Sequence, residues 1–232
     1  MARKGRSWLI RLLTGAAFLL LLWQGWYLGW VVWWRYVDPG QTSFMAMRLD
    51  MLREKNPKAE LQQRWVPYAK ISLQLKRAVI AAEDDKFIDH EGFDWEGIQK
   101  AMEKNQKKGR LVAGGSTITQ QLAKNLFLTP DKSYFRKLEE AIITLMIETC
   151  WSKRRIFEVY LNVIEWGNGV FGAEAAARHY FNSSAAQLGS EQSARLAGMV
   201  PNPRYYDKNR GAPGLAKKTS IILGRMPSAE IP

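Results

Sequence analysis

A single cysteine rules out any disulfide within this chain and any cysteine-based metal site, and Cys150 lies in an apolar helical run where it reads as a small core hydrophobe. No segment recurs at a spacing of roughly 20 to 50 residues, so solenoid and propeller arrays are excluded. Alternating strand patterns are scarce, which leaves a mainly α domain. The glycines of "WGNGVFG" follow no strand and therefore make no nucleotide-phosphate fingerprint. The first 35 residues contain no Asp or Glu, and the stretch from Leu12 to Trp34 contains no charge of either sign.

That uncharged stretch, "LLTGAAFLLLLWQGWYLGWVVWW", matches the roughly 20 residues needed to cross a hydrocarbon core. It is too long for the core of a cleaved signal peptide, no small-x-small cleavage site follows it, and its tryptophans fit a buried globular helix poorly. Arg3, Lys4, Arg6 and Arg11 precede it and Arg35 alone follows, so the positive-inside rule expects a cytoplasmic N-terminus and an exported body. The expected organisation is a basic N-terminus with one transmembrane helix over 1–37, followed by a single domain over 38–232. The whole chain carries a formal net charge of +12; removing five of its 34 basic residues with the first 35 positions leaves 29 against 22 acids, or +7. The exported part is thus basic in its own right, which points to an anionic partner: nucleic acid, phospholipid head groups or a phosphorylated substrate.

Residues 38–70 show no clean period and read as an irregular, membrane-proximal segment. Helical spacing then recurs over Ile71–Asp84, Thr117–Leu128, Arg136–Trp151, Arg154–Ile164, Gly172–Phe181 and Ser190–Met199. The polar, basic "KAMEKNQKKGRLVAGG" between the first two reads as a mobile loop over a site or as an ordinary surface connection. The tail after Asp207 is basic, weakly patterned and expected to cap the domain edge.

"RAVIAAEDDKF" places Glu83 in the last turn of a helix, where the macrodipole and its neighbours Asp84 and Asp85 all disfavour its ionised form. A carboxyl so raised suits general acid–base work; a solvated acidic helix end is the plainer alternative. His90 by itself reads as a surface or core histidine. In "GGSTITQQLAKNLFL", Ser116 or Thr117 can cap a helix, Thr117 and Gln120 form a capping box, and Thr117, Gln121 and Lys124 line up away from the core face. That set suits an anionic, sugar-bearing ligand, or is a solvated polar face. Glu140 begins inside an apolar helix and needs a partner, while Arg136 and Lys137 crowd that helix's positive end, so they either pair with Glu140 or await a bound anion. Glu158 and Asn162 are expected to pair one turn apart and, with Lys153, read as structural when taken alone.

Together these blocks resemble the peptidoglycan glycosyltransferases that polymerise lipid II, especially the monofunctional, membrane-anchored members. The family's Glu-Asp-x-x-Phe-x-x-His-x-Gly falls on Glu83, Asp84, Phe87, His90 and Gly92. Its Gly-Gly-Ser-Thr-x-x-Gln-Gln-x-x-Lys-Asn falls on Gly114 to Thr117, Gln120, Gln121, Lys124 and Asn125, and its Arg-Lys-x-x-Glu on Arg136, Lys137 and Glu140. Lys-x-x-Ile-x-Glu-x-Tyr-x-Asn falls on Lys153, Ile156, Glu158, Tyr160 and Asn162. The resemblance implies a lysozyme-like fold, Glu83 as the base that deprotonates the acceptor's 4-hydroxyl, inversion at the donor's anomeric carbon, and departure of undecaprenyl diphosphate. It gives Glu140 a catalytic role at the donor diphosphate, with a divalent cation (Mg or Mn) as one way of exerting it and no organic cofactor. It places Asp84, Phe87, His90, Ser116, Thr117, Gln121, Lys124, Asn125, Arg136, Lys137, Lys153, Glu158 and Asn162 in the substrate groove.

The implied partners are lipid II, the growing glycan, inner-membrane lipids and other cell-wall synthesis or division proteins, with no nucleic acid; the implied location is the bacterial inner membrane with a periplasmic domain. A lysozyme-like glycoside hydrolase and a catalytically silent membrane-anchored scaffold are the two other readings.

Overall fold

The computed structural model describes residues 2–110, 114–131 and 133–232 and divides into two compact units, 1–38 and 39–232. The first is one helix, α1 (Ala2–Trp34), whose Ile10–Trp34 portion is long and apolar enough to cross a membrane by length and composition. The side chains of Arg3, Lys4 and Arg6, on which the expected orientation leans, lie outside the described residues.

The second unit is mainly helical. In chain order it contains α2 (Ser43–Arg53), β1 (Gln62–Gln63), α3 (Leu73–Glu83), α4 (Trp95–Lys108), α5 (Ile118–Phe127), α6 (Tyr134–Cys150) and α7 (Lys153–Val163). There follow β2 (Glu165–Gly167), β3 (Val170–Phe171), α8 (Ala173–Phe181), α9 (Ser190–Met199), α10 (Pro203–Lys208) and α11 (Pro213–Arg225). The strands form one small sheet in the order β1-β3-β2, parallel between β1 and β3 and antiparallel between β3 and β2.

The six helices expected from periodicity are all present, with ends within about two residues of their sequence-derived limits. Side-chain caps set several starts: Ser72 accepts from Leu75 N, Ser133 from Arg136 N, Ser152 from Arg155 N, and Thr117 with Gln120 closes the expected capping box. The core comprises Leu75, Ile80, Phe87, Ile118, Leu122, Ile143, Phe157, Tyr160, Trp166 and Phe171, all fully buried, each aliphatic member contributing about 2 kcal/mol of transfer free energy.

Four expectations need correction. The glycines of "WGNGVFG" are not remote from strands: Gly167 ends β2, Gly169 makes the turn and Gly172 follows β3. Residues 38–70 are not irregular throughout: Thr42 caps α2, Met45 is buried, and Arg48 is drawn inside by Glu165. A cation on the buried face is what hid this helix from a hydrophobicity pattern. The "KAMEKNQKKG" stretch is not a loop but the body of α4, capped by Asp94 through Gly97 N and stopped by Gly109 at φ 61°. Only Ala101 of α4 is buried, so it has almost no apolar stripe to detect; the rest of the expected loop, residues 111–113, lies outside the described residues. The tail is not an edge cap either, because α11 buries Leu215, Thr219 and Ile222 against α9 and α3. Gly198 permits that approach: a Cβ there would sit 3.3 Å from Leu215 Cδ1 and 3.4 Å from Lys218 Cβ.

Candidate active site

α3 ends at Glu83, and the next residue leaves helical space, with Asp84 at φ −165°. The Asp84 carboxylate then ties down two neighbours. Its Oδ2 accepts from Ile118 N, the first amide of α5, at 2.9 Å, and its Oδ1 lies 2.9 Å from His90 Nε2. His90 Nδ1 accepts from Gly92 N at 3.2 Å, so the ring proton resides on Nε2 and is donated to Asp84. Gly92 adopts φ 88°, a Cβ there would meet Thr144 Cγ2 at 2.7 Å, and its carbonyl accepts from Thr117 Oγ1 at 2.7 Å. Lys153 donates to the His90 carbonyl and to Glu148, with its ammonium 4.7 Å from the centroid of the fully buried Phe87 ring.

Asp84, Phe87, His90, Thr117 and Lys153 are therefore brought together as a brace that fixes the end of α3 against the start of α5. Glu158 and Asn162 stand elsewhere. Glu158 accepts from Tyr68 N and Arg155, and Asn162 clasps the Val66 main chain through both its amide atoms. The expected Glu158–Asn162 side-chain pair is absent; Asn162 donates instead to the Glu158 main-chain carbonyl.

The brace aims α5 at Glu83. Gln121 Nε2 donates to Glu83 Oε2 at 2.8 Å, while Glu83 Oε1 is buried with no hydrogen-bond partner. Burial is the chief force raising the Glu83 carboxyl above the ordinary carboxylate range, with Asp84 adding to it; the Gln121 bond and the charges of Lys218 and Lys124 oppose the rise. The direction agrees with expectation but the leading cause does not, and Asp85 is exposed.

One turn along α5 is Lys124, whose ammonium is pushed below its ordinary value by burial, with Arg136 and Lys137 acting in the same sense and Glu140 and Glu83 against it. Arg136 donates to Glu140 Oε2 at 2.6 Å, and Lys137 bonds Glu140 Oε1. Three cations thus surround one carboxylate that is only 3% exposed, beside the first turn of α6, an arrangement with surplus positive charge for an anion.

Three openings border these residues, the first two sharing Glu83 and Arg225. A cavity of about 180 Å³ is lined by Glu83, Asp84, Asp94, Ser116, Thr117 and Arg225 among others. A second, of about 160 Å³, is walled by Glu83, Pro201, Lys218 and Arg225. A third, of about 270 Å³, is lined by Gln121, Lys124, Asn125, Glu165 and Arg204. Asn125 also donates to the Gln121 carbonyl at 2.7 Å. Among the described residues no group of three or more His, Cys, Asp or Glu could hold a metal, and both Glu140 oxygens are already taken by cations.

Lys218 and Arg225 escaped the sequence reading. They stand seven residues apart, hence on one face of α11, and that spacing within a basic tail was the available signal. The Tyr160 hydroxyl, which donates to Gln121 Oε1 at 2.9 Å, has no site role in the sequence beyond its place in a motif.

Residues 50–227 match the protein family described as Transglycosylase. The chain is 76% identical over 225 residues to the biosynthetic peptidoglycan transglycosylase of Dechloromonas aromatica (strain RCB), an alignment covering 97% of each chain. It is 63% identical over 225 residues to the protein of the same description from Azoarcus sp. (strain BH72), again covering 97% of each. With that of Chromobacterium violaceum (strain ATCC 12472) it shares 60% identity over 224 residues, covering 97% of this chain and 98% of the other.

Proposed function

The chain belongs to the transglycosylase family, and from that premise we propose that it is a peptidoglycan glycosyltransferase that polymerises lipid II into linear glycan strands. The observation that carries the mechanism is the Glu83 carboxylate, a side chain that lines two cavities and is held through Oε2 by Gln121, while its buried Oε1 has no partner. Oε1 takes the proton of the acceptor's GlcNAc 4-hydroxyl, for which burial makes it a stronger base. The freed oxygen pair forms the new bond to the donor's anomeric carbon from the face opposite the diphosphate. The bond from that carbon to the phosphate oxygen breaks, its electron pair leaves with undecaprenyl diphosphate, and configuration inverts.

Charge growing on the leaving diphosphate is met by Lys124, Arg136 and Lys137. Glu140 holds the last two in place and keeps three cations from dispersing one another, which makes it a positioning residue in this reading. Asp84, His90, Thr117 and Lys153 brace the base rather than touch the sugar.

The membrane assignment follows the same chemistry. A substrate with a lipid tail stays in the bilayer, and the apolar Ile10–Trp34 helix retains the enzyme beside it. The basic residues before that helix favour a cytoplasmic N-terminus in the inner membrane and a periplasmic catalytic unit.

Purified full-length protein in detergent should convert labelled lipid II into a polymer ladder and leave finished glycan unchanged in length, and Glu83→Gln should abolish the ladder. Shortening of glycan without polymer from lipid II would establish a hydrolase instead; full polymerisation by folded Glu83→Gln would remove the base assignment.

A further inference from the structure

The mechanism uses the Glu83–Gln121 bond but leaves unexplained what orients Gln121. A side-chain amide can present either its oxygen or its nitrogen to a neighbour, and the two ends have opposite effects on a carboxylate. Behind Gln121 stands Tyr160 of α7, fully buried, its ring stacked 6.4 Å from Phe157. Its hydroxyl lies 2.9 Å from Gln121 Oε1, and Gln121 Nε2 lies 2.8 Å from Glu83 Oε2.

The polarity of this chain is determined from both ends. Burial, Glu83 and Asp84 all hold the Tyr160 hydroxyl protonated well beyond the ordinary range, so a proton is always available to donate. Reversing the amide would set its oxygen against a carboxylate oxygen, two acceptors in contact.

We infer that Tyr160 is a positioning residue: its hydroxyl locks the Gln121 amide with nitrogen toward Glu83 Oε2, and thereby makes Oε1 the one oxygen that receives the acceptor's proton. The inference rests on the glycosyltransferase reading for its consequence in catalysis, but the lock itself is a property of the free protein. It works in both protonation states of Glu83, because Gln121 continues to donate to Oε2 after Oε1 has gained its proton. Without the hydroxyl, the amide can rotate and offer its oxygen to protonated Glu83, stabilising the form that is useless as a base. The other charged groups facing Glu83 are Asp84 from its own loop, Lys124 from α5, and Lys218 and Arg225 from α11, with Asp94 lining the same cavity. None of them contacts the Gln121 amide oxygen.

The test is Tyr160→Phe in full-length protein, which keeps the ring and its packing. Two readouts are taken: the pH dependence of lipid II polymerisation, and the titration of the Glu83 carboxyl carbon by NMR in substrate-free, ¹³C-Glu-labelled protein, assigned by its loss in Glu83→Gln. Loss of the lock should lower kcat at pH 7 about 5- to 10-fold, as expected for one hydrogen bond, with KM unchanged. The Glu83 titration and the acid limb of kcat/KM should both move to higher pH. In a Gln121→Leu background Tyr160→Phe should produce no further movement, since its route to Glu83 is already gone.

An unmoved Glu83 titration in folded Tyr160→Phe overturns the inference, whatever happens to the rate. A moved titration in a protein that does not polymerise lipid II leaves the lock standing and removes the proposed function. Should Tyr160→Phe fail to fold, Gln121→Leu alone must raise the Glu83 titration, and an unchanged midpoint there overturns the lock equally.

Discussion

Replacing Glu83 with glutamine should destroy activity and stabilise the protein. The carboxyl is raised above its ordinary value chiefly by burial, and its Oε1 is an unpartnered buried oxygen. A folded-state carboxyl that holds its proton more tightly than the unfolded one favours folding while protonated. Stability therefore falls as pH climbs from the unfolded value through the folded one, and above that window the ionised group is a constant burden. The substituted amide keeps the shape of the carboxyl and can still accept from Gln121, but it carries no charge.

An unsatisfied buried polar group costs about 1–3 kcal/mol, more when charged. Lys218 and Lys124 offset part of the ionised group's penalty, so the net gain at pH 7 should be about 1 kcal/mol. For a domain of this size that is an increase of about 2–4 °C in Tm. Chemical unfolding of wild type and variant between pH 4 and pH 8 reads the difference directly. The gap should shrink toward the acid end, where wild-type Glu83 is itself neutral. A variant less stable at pH 7, or a gap independent of pH, would refute the claim that this site is strained by its own charge.

Other outcomes follow from neighbouring contacts. Lys218→Met should raise the Glu83 carboxyl further and move the acid limb of kcat/KM upward, while Lys218→Arg restores it, as a pH–rate profile would record. Asp84→Asn can no longer accept from both Ile118 N and His90 and should cost about 1–2 kcal/mol in denaturant unfolding, with a drop in polymerisation as α5 loses its tether. Arg48→Met leaves the buried Glu165 carboxylate with the Gly169 amide and, for a cation, the more distant Arg204 at 3.7 Å, a loss of about 3 kcal/mol. Adding Glu165→Met to it should recover most of that in thermal unfolding, because a pair of apolar residues leaves no charge buried.

Much of this molecule was written locally. Helices with a buried stripe, such as α3, α5 and α7, carry their period and their Ser or Thr caps in a dozen adjacent residues, and Glu83 falls in the last turn by counting alone. The apolar run to Trp34 is likewise a matter of length and composition. Of the helices that escaped, α4 buries only Ala101 and so has almost no stripe to detect, whereas α2 and α11 have reasons far away in sequence: α2 is secured by Arg48 reaching Glu165 across 117 positions, and α11 by the space beside Gly198.

The site divides the same way. Which residues carry carboxylates and ammonium groups is legible from the motifs, but burial and partnership depend on chain segments that meet only after folding. Tertiary structure decided that Asp84, His90 and Lys153 brace while Glu83 faces the cavities, and that Glu140 meets Arg136 and Lys137. It also decided that Lys218 arrives from the tail. The physical reason is that desolvation and hydrogen bonding act over a few ångströms of space, a distance that sequence separation does not measure.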